Sequence, residues 1–95
     1  MNKIEYDYYC PVCGCELDFL PWDNGLPSDE ICPCCYIQFG YEDSAGGEEE
    51  QKIGIYARYR DYWIKQGMPW NSVGQECPPN WDPRKQLQNI GIFIN

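Results

Sequence analysis

The first half of the chain contains three short stretches in which apolar and polar residues alternate. These stretches cover residues 4–9, 16–20 and 36–41. A period of two places neighbouring side chains on opposite faces of a strand, so each stretch predicts a short β-strand. Between the second and third stretches, Asn24-Gly25 favours a tight turn, although nearby prolines argue against a long regular hairpin.

The period changes after residue 43 and predicts a long helix. Ser44 is the expected N-cap, glutamates follow in the first turn, and Gly67 is expected just past the helix end. Arg60 falls inside the apolar face by its helical angle, and we expect its charged end to extend to solvent. The apolar side chains predicted to share this face are Ile53, Tyr56, Tyr59 and Trp63.

A second, shorter helix is predicted near the C-terminus. Asp82-Pro83 supplies a capping side chain followed by proline at the first helical position. The helix should run to about Asn89 or Ile90. Residues 92–94 are then expected to form either a last strand or a tail packed on the body of the protein.

Together these patterns predict one small α+β domain over residues 1–95. Residues 1–43 would form a ribbon of β-hairpins, and residues 44–95 a helical part with one long and one short helix packed on it. A chain of 95 residues buries only roughly 60 to 70% of the surface of its unfolded form. Such a core is thin, so a further source of stability is expected.

Seven cysteines provide a candidate for that source. Cys10 and Cys13 belong to one C-P-x-C segment, the first hook, and Cys32 and Cys35 belong to another, the second hook. Eighteen residues separate Cys13 from Cys32. Two C-x-x-C hooks at this separation are typical of a tetrahedral four-thiolate metal site, because each presents two sulfurs to one ion. Zinc is the default ion for such a site, and iron fits the same sulfurs.

Three cysteines remain outside the hook pattern, and they leave alternatives open. Cys15 and Cys34 lie close enough to the hooks for a different ligand set or a second metal, although buried thiols are the simpler interpretation. Cys77 is expected to be a free thiol, because the chain contains no histidine to activate it. Native disulfides or reduced structural thiols are the alternatives to a metal site.

The positions just after the two hooks differ. Gly14 suits a tight turn that requires a positive φ. Tyr36 occupies the matching place in the second hook. We therefore expect the second turn either to adopt another geometry or to bear some strain.

Composition excludes several classes of function. The absence of histidine excludes Ser-His-Asp and Cys-His nucleophile systems, and no phosphate-binding glycine motif is present. A formal net charge of -8 disfavours nucleic acid as a partner, since that binding depends on cationic side chains. No apolar run approaches the roughly 20 residues that span a membrane, and no signal-peptide core is found, so a cytoplasmic protein is expected.

The charge is unevenly distributed along the chain. Residues 1–50 hold one Lys against twelve Asp and Glu, a balance of −11, whereas residues 51–95 hold six Lys and Arg against three acids, a balance of +3. The two parts should attract each other. An acidic face left over on the ribbon would suit a basic protein partner.

The hooks, with Gln38-Phe39-Gly40-Tyr41 after the second, resemble the bacterial cysteine-rich CPCC proteins. The stretches Trp63 to Trp70 and Pro78 to Pro83 are similar to the C-terminal part of some small relatives of that kind. The predicted strands and the two hooks give residues 1–43 a zinc-ribbon or rubredoxin-like layout, and the resemblance implies a metal-bound ribbon. It also implies the ligand set, which is Cys10, Cys13, Cys32 and Cys35.

Three functions are compatible with the sequence. The first is a non-enzymatic, zinc-stabilised protein-interaction module, of the kind an immunity or inhibitor protein for a basic toxin would be. The second is a rubredoxin-like iron electron carrier. The third is a thiol redox or metal sensor that uses the cysteines outside the hooks. We favour the first, because a minimal electron carrier needs neither the helices nor the tryptophan-rich loops.

Overall fold

A short hairpin lies between the two hooks. The computed structural model of the protein describes residues 8–44 and 49–94. In it β1 (Trp22–Asp23) pairs antiparallel with β2 (Leu26–Pro27), with residue 22 opposite residue 27. Asn24 and Gly25 have φ angles of 54° and 81°, as a type I′ turn requires. The predicted turn at Asn24-Gly25 is therefore confirmed, and the hairpin around it has only two residues in each strand.

The longer strands predicted on either side of the hooks are reduced to single bridges. Tyr9 pairs with Glu16, and Ile31 pairs with Gln38. Residues 16–20 and 36–41 form no strand, because the chain folds back through each hook and leaves the paired geometry almost at once. After Gln38, for example, the chain turns again at Gly40, whose φ is 97°. The predicted strand over residues 4–9 lies mostly outside the described residues.

The long helix is α1, Glu49–Lys65. Its C-terminal end is as predicted: Gly67 adopts a φ of 96°, and the N–H of Met68 donates to the carbonyl of Trp63 at 2.9 Å. This pattern closes the last turn of a helix through a left-handed glycine. The predicted capping interactions of Ser44 involve residues 45–48, which lie outside the described residues.

The buried face of α1 agrees with the predicted face at Tyr56, Tyr59 and Trp63, which pack on the core, but differs at its N-terminal end. Ile53 is 69% exposed, whereas Lys52 is only 4% exposed. The Lys52 ammonium lies 3.2 Å from the centroid of the Trp22 ring, a cation–π contact that accommodates the buried charge. Ile53 was therefore wrongly placed on the inner face, while Trp63 is buried as predicted.

The short helix is α2, Pro83–Gln88. Asp82 has the extended conformation of an N-cap and accepts a hydrogen bond from the N–H of Arg84 at 3.0 Å, as the sequence predicts. Leu87 is completely buried on its inner side. The following residues form a tail rather than a strand, and Ile92 and Ile94 pack against the core.

The core surrounds the two hooks and includes residues from both halves of the chain. Phe19 and Phe39 contribute an edge-to-face ring pair with centroids 6.1 Å apart. None of the helices in the described residues is long and apolar enough to cross a membrane. The buried residues of the core are Cys10, Val12, Cys13, Cys15, Leu17, Cys32, Cys34, Cys35, Ile37, Phe39, Trp63, Met68 and Leu87.

Candidate metal centre

The two hooks follow the same backbone path, with an offset of 22 residues. In the first, the N–H of Gly14 donates to the carbonyl of Cys10 at 2.8 Å, and in the second, the N–H of Tyr36 donates to the carbonyl of Cys32 at 2.9 Å. The first cysteine of each hook also donates to the carbonyl five residues later, at 2.8 and 2.9 Å. This repeated turn presents two sulfurs from each hook to a common centre.

The structure brings together the four hook cysteines. Their sulfurs all lie within 4.8 Å of one another, and all four residues are buried. Cys10 and Cys35 are paired across the hooks at 3.7 Å, as are Cys13 and Cys32. Four sulfurs held at about 2.3 Å from one ion in tetrahedral geometry lie about 3.8 Å from each other. The donor set and the close approach of the four sulfurs therefore fit a four-thiolate metal ion.

The other three cysteines lie outside this group. Cys15 and Cys34 are buried beside it, and Cys77 is exposed. All seven thiols are free, so the structure contains no disulfide. The amide of Gln86 donates to the sulfur of Cys34 at 3.3 Å. Cys34 is therefore in contact with α2.

Burial and contacts between the thiols shift the pKa values of the cysteines in opposite directions. Burial raises the pKa of Cys13 and of Cys35 well above the usual range of a thiol. Hydrogen bonds from neighbouring thiols, that of Cys10 foremost, lower the pKa of Cys32. Without a metal ion the site thus retains protons, and a bound cation must displace them to obtain four thiolates.

Arg60 of α1 covers the first hook. Its Nε donates to the carbonyl of Val12 at 2.7 Å, and its Nη2 donates to the carbonyl of Pro11 at 2.8 Å. Burial lowers the pKa of the guanidinium, yet an arginine remains charged in proteins. Its charge is therefore held beside the sulfurs instead of extending to solvent as predicted.

Side chains from α2 and its C-terminal end complete the cover of the first hook. The amide of Gln86 donates to the carbonyl of Cys13 at 3.1 Å, and that of Asn89 donates to the carbonyl of Gly14 at 3.0 Å. These bonds satisfy carbonyls that would otherwise be buried without partners.

The segment after α1 covers the second hook in the same way. Asn71 donates to the carbonyl of Cys34 through both its backbone N–H, at 3.0 Å, and its side-chain amide, at 2.9 Å. The N–H of Ser72 donates to the carbonyl of Pro33 at 2.9 Å. Sequence reasoning missed these polar contacts, because they join residues far apart in the chain and no spacing pattern marks them.

A buried carboxylate joins α1 to the hairpin. Asp43 is fully buried and accepts three hydrogen bonds, from the N–H of Gly40 at 2.6 Å, the indole of Trp22 at 2.8 Å and the hydroxyl of Tyr56 at 2.7 Å. Lys52 lies over the same indole. The sequence offered no signal for this cluster, since Asp43 is one of many acidic residues in its half.

In comparisons with known proteins, no family model matches the chain, and neither does any curated protein sequence or solved structure. The resemblance to the cysteine-rich CPCC proteins stays a prediction.

Proposed function

We propose that the four-cysteine centre holds one structural zinc ion and that the protein is a non-enzymatic, cytoplasmic protein-interaction module. The closed arrangement of the site supports a structural role. Four sulfurs from the chain complete the coordination of a tetrahedral ion and leave no position for a substrate. Zinc suits such a site because it prefers tetrahedral thiolate coordination and needs no redox partner.

The observation that carries this proposal is the cover over the hooks. Arg60, Asn71 and Gln86 come from three successive segments of the helical part, and each donates to a hook carbonyl. The positions of these segments therefore depend on the hooks keeping their shape. A metal ion that fixes four sulfurs fixes that shape, and its binding free energy becomes part of the folding free energy.

The surface of the ribbon supports the proposed interaction with a protein. Leu26, Tyr36 and Tyr41 are 69%, 51% and 62% exposed. Exposed acidic residues lie among them in the sequence. Aromatic anchors surrounded by charge are typical of protein interfaces. A basic protein is the complementary partner, and a zinc-ribbon module of the immunity or inhibitor type, related to the CPCC proteins, is the form we propose.

Elemental analysis of the natively purified protein tests the metal. We expect about one zinc per chain and a colourless solution. A red solution with one iron per chain would instead support the rubredoxin-like electron carrier, which uses the same sulfurs. The thiol-sensor alternative has weaker support, because Cys15 and Cys34 are buried and only Cys77 is exposed.

A pair of serine variants tests whether the metal is structural. Cys32→Ser should lose the metal and unfold, because structural zinc contributes on the order of 10 kcal/mol to small domains. Cys77→Ser replaces an exposed thiol and should retain both metal and structure. Circular dichroism and zinc content measured on the same samples decide the question. A Cys32→Ser protein that melts like the parent would refute a structural role.

Capture of partners from the native host after crosslinking tests the interaction. Asp23→Lys with Glu30→Lys changes two exposed acids of the ribbon, and we expect it to abolish recovery of a basic protein. Glu76→Lys changes an exposed acid of the helical part and should leave recovery unchanged. Equal recovery with both variants would argue against the acidic ribbon as the interface.

A further inference from the structure

A cavity of about 330 Å³ borders the four-cysteine centre, and Cys35 is the one hook cysteine among its described lining residues. Cys35 contributes to its wall and is 4% exposed, whereas Cys10, Cys13 and Cys32 are 0% exposed. The cavity lies between the C-terminal half of α1 and the segment that follows it. Its remaining lining residues are Tyr59, Tyr62, Trp63, Gln66, Pro69 and Asn71.

In the part of the chain that the structure describes, Cys35 is the one member of the four with any exposed surface. Arg60 and α2 lie on the first hook. Two larger cavities, of about 650 and 720 Å³, open on other faces, and neither is lined by one of the four clustered cysteines. The larger of these openings borders the backbone of Pro11, and the other borders Cys15 and Pro33. A small molecule therefore meets Cys35 first among the four.

We propose that Cys35 is a modification site, at which the sulfur of Cys35 attacks a small soft electrophile that enters this cavity. The proposal rests on the proposed metal centre, in which the sulfur of Cys35 is a thiolate and hence a nucleophile. With a maleimide, a sulfur lone pair forms a bond to one alkene carbon. The π electrons move to the other alkene carbon, which takes a proton from water.

The consequence of this modification is loss of the metal. An alkylated sulfur carries no negative charge, so the centre retains only three thiolates. Among the described residues, no histidine or carboxylate belongs to the group that could replace the lost thiolate. Alkylation of Cys35 and release of zinc should therefore proceed together.

The experiment uses the zinc-loaded Cys77→Ser protein, so that the exposed thiol does not consume the reagent. Its zinc content is measured first, and N-ethylmaleimide is then added below one equivalent. A chromogenic chelator follows zinc release, and mass spectrometry of peptides identifies the alkylated cysteine. We expect Cys35 to be alkylated before the other cysteines, at the rate at which zinc is released. First alkylation at any other cysteine, which means Cys10, Cys13, Cys15, Cys32 or Cys34, would overturn the proposal.

Two matched variants test the route of entry. Gln66→Trp places a large side chain in the cavity wall, and we expect it to slow alkylation and zinc release several-fold. Gln75→Trp makes the same change at a residue of another cavity and should leave both rates unchanged. If alkylation and zinc release are equally fast in the two variants, the reagent does not enter through this cavity. Protein purified without metal would instead refute the proposed function, on which this inference depends.

Discussion

Gly14 and Tyr36 occupy equivalent positions in the two hooks, but α2 covers only Gly14. Both adopt a left-handed backbone, with φ angles of 83° and 71°. A Cβ atom at residue 14 would lie against the carbonyl oxygen of Gln86, whereas the Tyr36 side chain is 51% exposed. Close packing by α2 therefore requires glycine in the first hook. The second hook carries a larger residue at the expense of some backbone strain, as the sequence suggested.

Alanine variants at these two positions should separate packing from strain. Gly14→Ala should destabilise the zinc-loaded protein by about 2 kcal/mol or more, because it combines a strained backbone with a clash against α2. Tyr36→Ala keeps a Cβ at a positive φ but meets no such contact, so it should have little effect. Urea unfolding followed by tryptophan fluorescence measures both. Equal losses of stability would show that α2 does not rest on Gly14.

The preferences of individual residues predicted the turns and helix ends of this protein better than its strands. Asn24-Gly25 turns as expected, Asp82 caps α2, and Gly67 follows α1, because each depends on the residue's own backbone preference or short side chain. The alternation over residues 36–41 also marks a real pattern, since its inward side chains are buried. It forms no strand because a strand needs a partner, and the hook supplies only one bridge.

The cysteine cluster could be predicted from the sequence, whereas the contacts around it could not. The C-x-x-C spacing reflects the geometry of one turn, so it places two sulfurs together wherever that turn occurs. Arg60 and Asn89 reach the first hook only because α1 and α2 pack as they do. Lys52 illustrates the same limit: its burial depends on Trp22, thirty residues earlier in the chain.

Arg60 should contribute to metal retention. Arg60→Gln removes a positive charge beside the sulfurs and the two hydrogen bonds to the first hook, and outer contacts of this kind are worth about 10- to 100-fold in metal affinity. Arg58→Gln removes the same charge from an exposed position on α1 and should change the affinity little. Competition with a chelator of known affinity measures both. An unchanged zinc affinity in Arg60→Gln would mean that its contacts stabilise only the docking of α1.

Asp43 should matter for stability more than other acids of the ribbon. Asp43→Asn preserves the shape of the side chain, but in either orientation its NH2 group faces a donor, the N–H of Gly40 or those of Trp22 and Tyr56. We expect a loss of about 2 kcal/mol or more. Asp18→Asn changes an exposed carboxylate and should be nearly neutral. The free energy of unfolding of the zinc-loaded proteins is the measurement. Similar values for the two variants would show that the buried cluster contributes no net stability.

Zinc binding should release protons and strengthen as the pH rises. Burial raises the pKa of Cys13 and Cys35, so both thiols are protonated in the metal-free protein at neutral pH and must lose their protons to bind zinc. At least these two protons should appear per zinc bound, and each one released makes the affinity rise about tenfold per pH unit.

Titration calorimetry in buffers of different ionisation enthalpy counts the protons released. Fewer than two per zinc at neutral pH would contradict the assignment of protonated Cys13 and Cys35 to the metal-free centre.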